Sequence, residues 1–487
     1  MKVSSNSLKE RTTVGVFWSF IEKFSLTAGQ FIISILLARL LIPEDFGLIG
    51  MLSIFIALSQ VFIDSGMGSG LIQKVNKTSE DFSTVFLFNL VISILAYIIL
   101  YVGAPFIAAF YENPILTSLT RILSLNLIFG AIVIVQRTKL TIEMDFKTHA
   151  KINAVSLFIG GSIGIVAAIY GFGVWSLVFK NLLIGFSQTV GYWMVGNWKF
   201  SIKFSKRSFR KLFGYGSNLL AVSLYGKLMS EIYNIIIGRV YTAGELGYYT
   251  QTKRVGDLSA STITSILQRV TFPLLSSLQK DKERMLSIFK RVVKMTAFIT
   301  LPSMTLLALL AEPTIGFLLG KKWLPVVPLL QWYCFVKIHN PVALVNLNML
   351  NASGRSDLFL KVDIAKAPVA IGALLITTPI SVEAMVIGQF IVATISSYIS
   401  AYMSGKLFGY SYFAQIRDMV PFLISTAGMS ICVYIITFLV TGYIMQLIVG
   451  ILVGVFSYSL FSHIFKLDEF YEITTLVKRH FNKLIKI

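Results

Sequence analysis

Five basic side chains fall well inside long apolar runs: Lys23, Lys180, Lys227, Arg269 and Lys337. An ionisable group inside a membrane span is costly, and it generally faces a cavity or a partner of opposite charge. Lysine and arginine are also the natural hosts of a phosphate or pyrophosphate group. Acids at comparable positions are fewer: Glu22, Asp64, Glu231 and Asp257. The set therefore points to a cationic interior that binds an anionic group. Lys23 and Lys227 are the foremost candidates, because they stand at similar depth on the first helices of the two halves of the chain. They are four residues out of register at an offset of 200, about one helical turn, so the helix face is kept. A structural reading competes with this one. Lys227 and Glu231 are four apart on one helix and can pair with each other, and Lys294, Lys361 and Lys366 can snorkel from span ends.

Asp64, Glu231, Asp257 and His339 are candidates for coupling to an ion. A lone histidine such as His339 is more often a hydrogen-bonded core residue than a proton relay. Arg254, Asp257, Ser261, Ser265 and Gln268 recur at steps of three or four, which makes one polar stripe on an otherwise apolar helix. Ser53, Ala57, Gln60 and Asp64 form a thinner stripe on an earlier one. Pro341 falls inside a run that also holds Lys337, His339, Asn340, Asn346 and Asn348, and a proline there frees backbone groups. The two cysteines, Cys334 and Cys432, and the four dispersed histidines have no metal-ligand or disulfide spacing. There is no Walker loop, so ATP hydrolysis is not expected. Glu143-x-Asp145 is accompanied by Lys147 and Lys151 and reads as a solvated connector. No catalytic residue, metal site or cofactor is expected, and the chain reads as a transporter rather than an enzyme.

These residues need helices in lipid to position them. Of 487 residues, 55% are hydrophobic and only 14% charged, whereas a soluble domain carries roughly 25% charge. The apolar runs are long enough to cross hydrocarbon as helix, and the period-two alternation of a barrel is absent. The chain thus reads as an all-α polytopic membrane protein with about fourteen transmembrane helices. The expected spans are 14–38, 45–72, 82–110, 116–138, 151–171, 174–196, 212–238, 252–276, 287–311, 324–350, 358–379, 382–404, 418–440 and 443–465. The first run is too long for a signal-peptide core and is expected to stay as the first helix. Trp198, Trp323 and Tyr471 read as interfacial anchors.

The net charge of +20 would suggest nucleic acid in a soluble protein. Here most of it lies in alternate loops. Lys74 and Lys77 mark the second loop, and Arg137, Lys139 and Lys147 the fourth. Six basic residues between Lys199 and Lys211 mark the sixth, and five between Lys280 and Arg291 the eighth. The odd loops hold little beyond Arg39, Arg239, Lys321 and Lys322. This bias puts the even loops and both termini in the cytoplasm, and no nucleic-acid partner is expected.

The halves echo each other. Residues 38–48 and 238–248 align Arg39 with Arg239, Asp45 with Glu245 and Gly47 with Gly247, each pair between the first and second helix of its half. Pro105 and Ile107 match Pro313 and Ile315 less closely. Six helices per repeat make the repeats parallel, a design of secondary transporters with the substrate path between the halves. The expected organisation is an N-lobe over 1–196, a cytoplasmic linker over 197–211 and a C-lobe over 212–404. Two further helices and a cytoplasmic tail complete it over 405–487.

The pattern Gly15-Val16-x-Trp18, then Ala38-Arg39-Leu40-Leu41-x-Pro43-Glu44-Asp45-Phe46-Gly47, then Asp64-x-Gly66-x-Gly68 resembles the polysaccharide and O-antigen flippases (Wzx-type). They are part of the multidrug/oligosaccharidyl-lipid/polysaccharide exporter superfamily. The pattern is most similar to the branch handling colanic acid, teichuronic acid and lipopolysaccharide. The resemblance covers roughly residues 8–410. It implies two lobes in a V-shaped arrangement and alternating access driven by an ion gradient, of H+ or Na+, or by the membrane potential. It also implies transfer of an undecaprenyl-pyrophosphate-linked oligosaccharide across a bacterial inner membrane. Membrane lipids and polymerase or export machinery would be the partners. It brings no invariant catalytic motif, so it assigns no site residue. A drug/cation antiporter of the same superfamily is the nearest alternative, although that would favour an anionic cavity. A membrane-embedded glycosyltransferase is a third reading, and it would need a polar catalytic loop.

Overall fold

Backbone groups have no water to bond in lipid, so the apolar runs close their hydrogen bonds internally as helices. The structure is a computed structural model that describes residues 5–196, 198–199 and 201–484. Side chains are described except at 5–17, 20, 215, 218–219, 261–263, 266, 268–270, 356, 359–360, 476–477 and 479–484. The first half comprises α1 (Ser5–Leu40), α2 (Pro43–Asp64), α3 (Met67–Gln73), α4 (Ser79–Phe110), α5 (Ile115–Leu123), α6 (Leu125–Ile142), α7 (Phe146–Ile169) and α8 (Val174–Val195). Next come α9 (Lys206–Val240), α10 (Ala243–Ser277), α11 (Lys282–Leu309), the short α12 (Ala311–Leu318), α13 (Val326–Ala352), α14 (Ser356–Thr377) and α15 (Val382–Phe408). The chain ends in α16 (Tyr412–Leu439), α17 (Tyr443–Ile464) and α18 (Asp468–Leu484).

With α2–α3 and α5–α6 each read as one broken span, fourteen long helices fall on the fourteen expected spans. Among the described residues, ten of them are long and apolar enough to cross a membrane. The other four, α8, α10, α13 and α14, are those whose interiors hold Lys180, Asp257, Lys337 and the Asp363–Lys366 pair. The helices also run past the expected ends, because polar first turns are capped rather than left in loops. Asp145 caps α7, Ser205 caps α9 and Asp281 caps α11 through their side chains.

The chain divides into two compact units, Met1–Gly247 and Tyr248–Ile487. In the first, α1 packs on α7, α7 on α8, α4 on α6, and α9 on α2, α3 and α4. The seventh long helix is thus packed with the first six. An aromatic core of Phe86, Trp193 and Trp198 closes over Met67, Leu71 and Leu212. Trp198 is therefore a core residue and not the expected interfacial anchor, and the Trp198 carbonyl accepts a bond from Gln136 Nε2 at 2.9 Å.

In the second unit, α13 packs on α11 and α15, and α16 on α11 and α17. Trp323 is fully buried there and is likewise no anchor. A buried polar link ties α16 to α13: Asn346 Nδ2 donates to Gln415 Oε1 at 3.1 Å, and Gln415 Nε2 donates back to Asn346 Oδ1 at 2.9 Å. A reciprocal amide pair of this kind satisfies both groups and fixes the register of the two helices. The terminal helix α18 is held to α11 by Lys294–Glu469 at 2.9 Å and by an Arg291–Glu472 pair.

Candidate functional site

The repeated segment explains itself in the structure. Arg39 and Arg239 stand in the last turns of α1 and α9, where a cation complements the helix dipole. Asp45 accepts the backbone N–H of Ile42 at 3.1 Å, and Glu245 accepts that of Thr242 at 3.1 Å. Thr242 Oγ1 returns a bond from Glu245 N at 3.2 Å, completing a capping box at the start of α10. The glycines do something else. A Cβ added to Gly47 would lie 1.7 Å from the carbonyl oxygen of Ala243, and one added to Gly247 would lie 1.9 Å from that of Pro43. Position 43 is the repeat partner of 243, and 47 of 247. The two copies of the segment therefore touch reciprocally, and backbone meets backbone where only glycine fits.

A seam between α2 and α9 runs on from this contact. The helices are antiparallel, because at the far end a Cβ on Gly216 would lie 2.2 Å from the Ser65 carbonyl oxygen. Between these closures sits a polar cluster. Ser53 Oγ lies 3.0 Å from Glu231 Oε2 and 2.7 Å from the Gly50 carbonyl oxygen. Asn234 Nδ2 donates to Glu231 Oε2 at 2.6 Å and to Ser53 Oγ at 3.2 Å. Ser53 is about 15 Å along α2 from Pro43, near the middle of a membrane-crossing length.

The remaining candidates are distributed over both units. Lys23 is exposed on α1, and Lys227 is exposed on α9. Neither has an acidic group within ion-pair distance among the described residues. The pairing of Lys227 with Glu231 allowed by their spacing is not made, since Glu231 turns to α2 instead. Beside Lys23, Glu22 accepts from Asn153 Nδ2 at 2.8 Å, and Asn153 Oδ1 accepts from Gln188 at 3.1 Å. Lys180 is half-buried on α8, with its stem pressed on α7 at Gly164. The side chain of Arg269 lies outside the described residues, as do those of Ser261 and Gln268 in the polar stripe. Helix α10 begins at Ala243, earlier than expected, so Arg269 is about 39 Å along it, beyond the depth of a hydrocarbon core.

In the second unit Lys337 Nζ lies 2.6 Å from Asp257 Oδ1, which also accepts from Tyr333 OH at 2.9 Å. The same ammonium stands 4.8 Å from the centre of the Tyr333 ring. A cation candidate and an ion-coupling candidate thus neutralise each other. His339 Nε2 lies 3.2 Å from Thr394 Oγ1. It borders a cavity of about 200 Å³ among α11, α13, α15 and α16. Asp64 is exposed at the end of α2 and accepts from Gln60 Nε2 at 3.2 Å.

Sequence reading missed Asn234 and the meeting of Ser53 with Glu231. Asn234 was findable, since it stands three residues after Glu231 on the same helix face. The pairing of Ser53 with Glu231 was not, because it depends on which helix α2 packs against.

The model of the polysaccharide biosynthesis protein family matches residues 36–328. The chain belongs to this family. That match begins just before the Arg39–Gly47 segment and bears out the resemblance drawn from it. The chain is similar to the teichuronic acid biosynthesis protein TuaB of Bacillus subtilis (strain 168), 27% identical over 88% of this chain and 89% of that protein. It is similar to the lipopolysaccharide biosynthesis protein WzxC of Escherichia coli (strain K12), 24% identical over 86% of each. In structure it resembles the lipid II flippase MurJ in an inward closed conformation, with a TM-score of 0.72 at 18% identity. That likeness covers 93% of this chain and 99% of that one. The family member described here is a multi-span membrane protein of polysaccharide biosynthesis with the MurJ fold.

Proposed function

We propose that this chain flips an undecaprenyl-pyrophosphate-linked oligosaccharide from the inner to the outer leaflet of a bacterial inner membrane, by alternating access, for polysaccharide synthesis. The basic even loops and both termini are cytoplasmic in this reading. Its main support is the placement of Lys23 and Lys227. They are exposed, they lack acidic partners among the described residues, and they stand on the first helices of the two repeats. They lie about 25 and about 20 Å along the helix from the ends that carry Arg39 and Arg239. A membrane-embedded ammonium without a carboxylate is costly unless an anion is delivered to it. A pyrophosphate, with charge on both groups, is such an anion. Lys337 does not share this property because Asp257 compensates it, so it is ranked below the pair. The names of the similar teichuronic acid and lipopolysaccharide biosynthesis proteins agree with a glycan on the carrier.

Neutralising each lysine tests the proposal. Lys23→Gln and Lys227→Gln should each lower flipping about tenfold or more at unchanged protein level. Tenfold corresponds to about 1.4 kcal/mol, the loss of one modest charge-assisted contact. Full transport by both variants would overturn the assignment.

A further inference from the structure

A basic pocket opens where the end of α3 meets the start of α9. Its volume is about 430 Å³, and it is lined by Gln73, Lys74, Val75 and Asn76 on one side and by Lys211 and Leu212 on the other. The two walls are fastened together. Leu212 is buried against Met67 and Leu71 of α3, and the Ser205 backbone N–H donates to Thr84 Oγ1 at 3.0 Å. Lys74 Nζ lies 2.6 Å from each oxygen of the fully buried Asp81 carboxylate, which takes two of its three N–H groups and leaves one for the pocket. Lys211 is exposed, as are Lys206, Arg207 and Arg210 beside it, and none of the four has an acid within ion-pair distance among the described residues. Gln73 and Asn76 add exposed side-chain amides, and Val75 is 90% exposed between Lys74 and Lys77.

We propose that this pocket binds the headgroup of an anionic phospholipid of the surrounding leaflet. The expected span on α9 begins directly after Lys211, so the pocket stands at the depth of the headgroups. A phosphodiester there meets the Lys211 ammonium and the remaining N–H of Lys74, with Arg207 one helical turn from Lys211. The amides of Gln73 and Asn76 suit the hydroxyl groups of a glycerol cap. The bare Val75 side chain, with Ile72 46% exposed nearby, gives the start of the acyl chains an apolar surface. Basic pockets between membrane helices hold anionic headgroups in this way on the cytoplasmic side, which this is in the proposed orientation. Orienting the chain needs positive charge alone. The pocket, its two amides and the exposed valine are not required for that, and they are what single out this loop. Lys227 lies about 24 Å further along α9, so the site is separate from the one proposed for the pyrophosphate. A bound headgroup bridges α3 to α9 and adds to the contacts that fix the start of α9.

The test uses the purified full-length protein in detergent micelles. Dioleoyl phosphatidylglycerol or dioleoyl phosphatidylcholine is added, and the lipids held per chain are counted by native mass spectrometry. The result expected is a first phosphatidylglycerol that binds saturably and about tenfold or more tightly than phosphatidylcholine. Lys211→Gln should weaken it about fivefold, the worth of one basic residue at an anionic surface. Val75→Ser and Asn76→Ala should weaken it by smaller, measurable factors, and Asn76→Ala keeps the test open if Lys211→Gln fails to fold. Lys74 is left in place, because its removal would strand the buried Asp81. Lys151→Gln, an exposed cation on α7 that does not line the pocket, should bind as the wild type does. Equal binding of the two lipids, or an equal loss in Lys151→Gln, would mean diffuse attraction and overturn the site. Displacement of the bound lipid by millimolar inorganic phosphate would make it a free-phosphate site. Displacement by equimolar undecaprenyl pyrophosphate would give it to a polyprenol carrier, and either result would overturn the proposal.

Discussion

At the scale of single residues, the charges inside the spans sort into two kinds. Lys337 and Asp257 are a matched pair whose ends lie 2.6 Å apart, with Tyr333 bonding the carboxylate and facing the ammonium. Removing one partner strands the other, whereas removing both does not. Lys337→Gln and Asp257→Asn should therefore each lower the melting temperature, and the double variant should melt above the sum of the two losses. The expected coupling is about 1–2 kcal/mol, modest because the Asp257 side chain remains 44% exposed. Additive losses would mean that Lys337 serves something other than Asp257. Lys23 and Lys227 are of the second kind, without a described acid to neutralise them. The sequence showed that all these residues are costly where they stand. It could not sort them, because whether an ammonium meets a carboxylate is decided by helix packing and not by spacing along one helix.

At the scale of elements, glycines set how closely the helices approach. Gly47 and Gly247 each admit a backbone carbonyl of the other repeat where a methyl group would overlap it. Gly47→Ala and Gly247→Ala should each destabilise the protein by about 1–3 kcal/mol, the usual range for overpacking. Gly103 in α4 is the control: a Cβ there meets nothing within 4 Å. Gly103→Ala should be neutral or slightly stabilising, through helix propensity alone. Thermal unfolding in detergent separates these outcomes, and an unperturbed Gly47→Ala would contradict the close approach. The spans themselves were legible, since length and apolarity in lipid leave helix as the sole economical backbone. Their ends were less so, because capping by Asp145, Ser205 and Asp281 carries helix into polar sequence that reads as loop. The repeat was visible as matched letters at an offset of 200. Why those letters match became visible only when Gly47 met the neighbour of its own counterpart.

At the scale of the whole molecule, membership of the polysaccharide biosynthesis family and the MurJ fold frame the proposed activity. The positive charge has two tasks in that account. Most of it lies at or near alternate ends of the spans, where the proposed orientation puts it in the cytoplasm, and a small remainder stays deeper within them. The amide pair of Asn346 and Gln415 and the ion pairs on α18 fasten the last helices to the second unit, so these are integral parts of it. The central claim is that the cargo is a glycan on a pyrophosphate-linked polyprenol. Its most direct test is extraction and identification of the lipid-linked intermediates from cells in which the gene is deleted, with the leaflet of each determined by access to an added glycosidase. The account predicts that an undecaprenyl-pyrophosphate oligosaccharide accumulates on the cytoplasmic leaflet and falls to normal when the wild-type chain is restored. Absence of any accumulated undecaprenyl-linked glycan would contradict it.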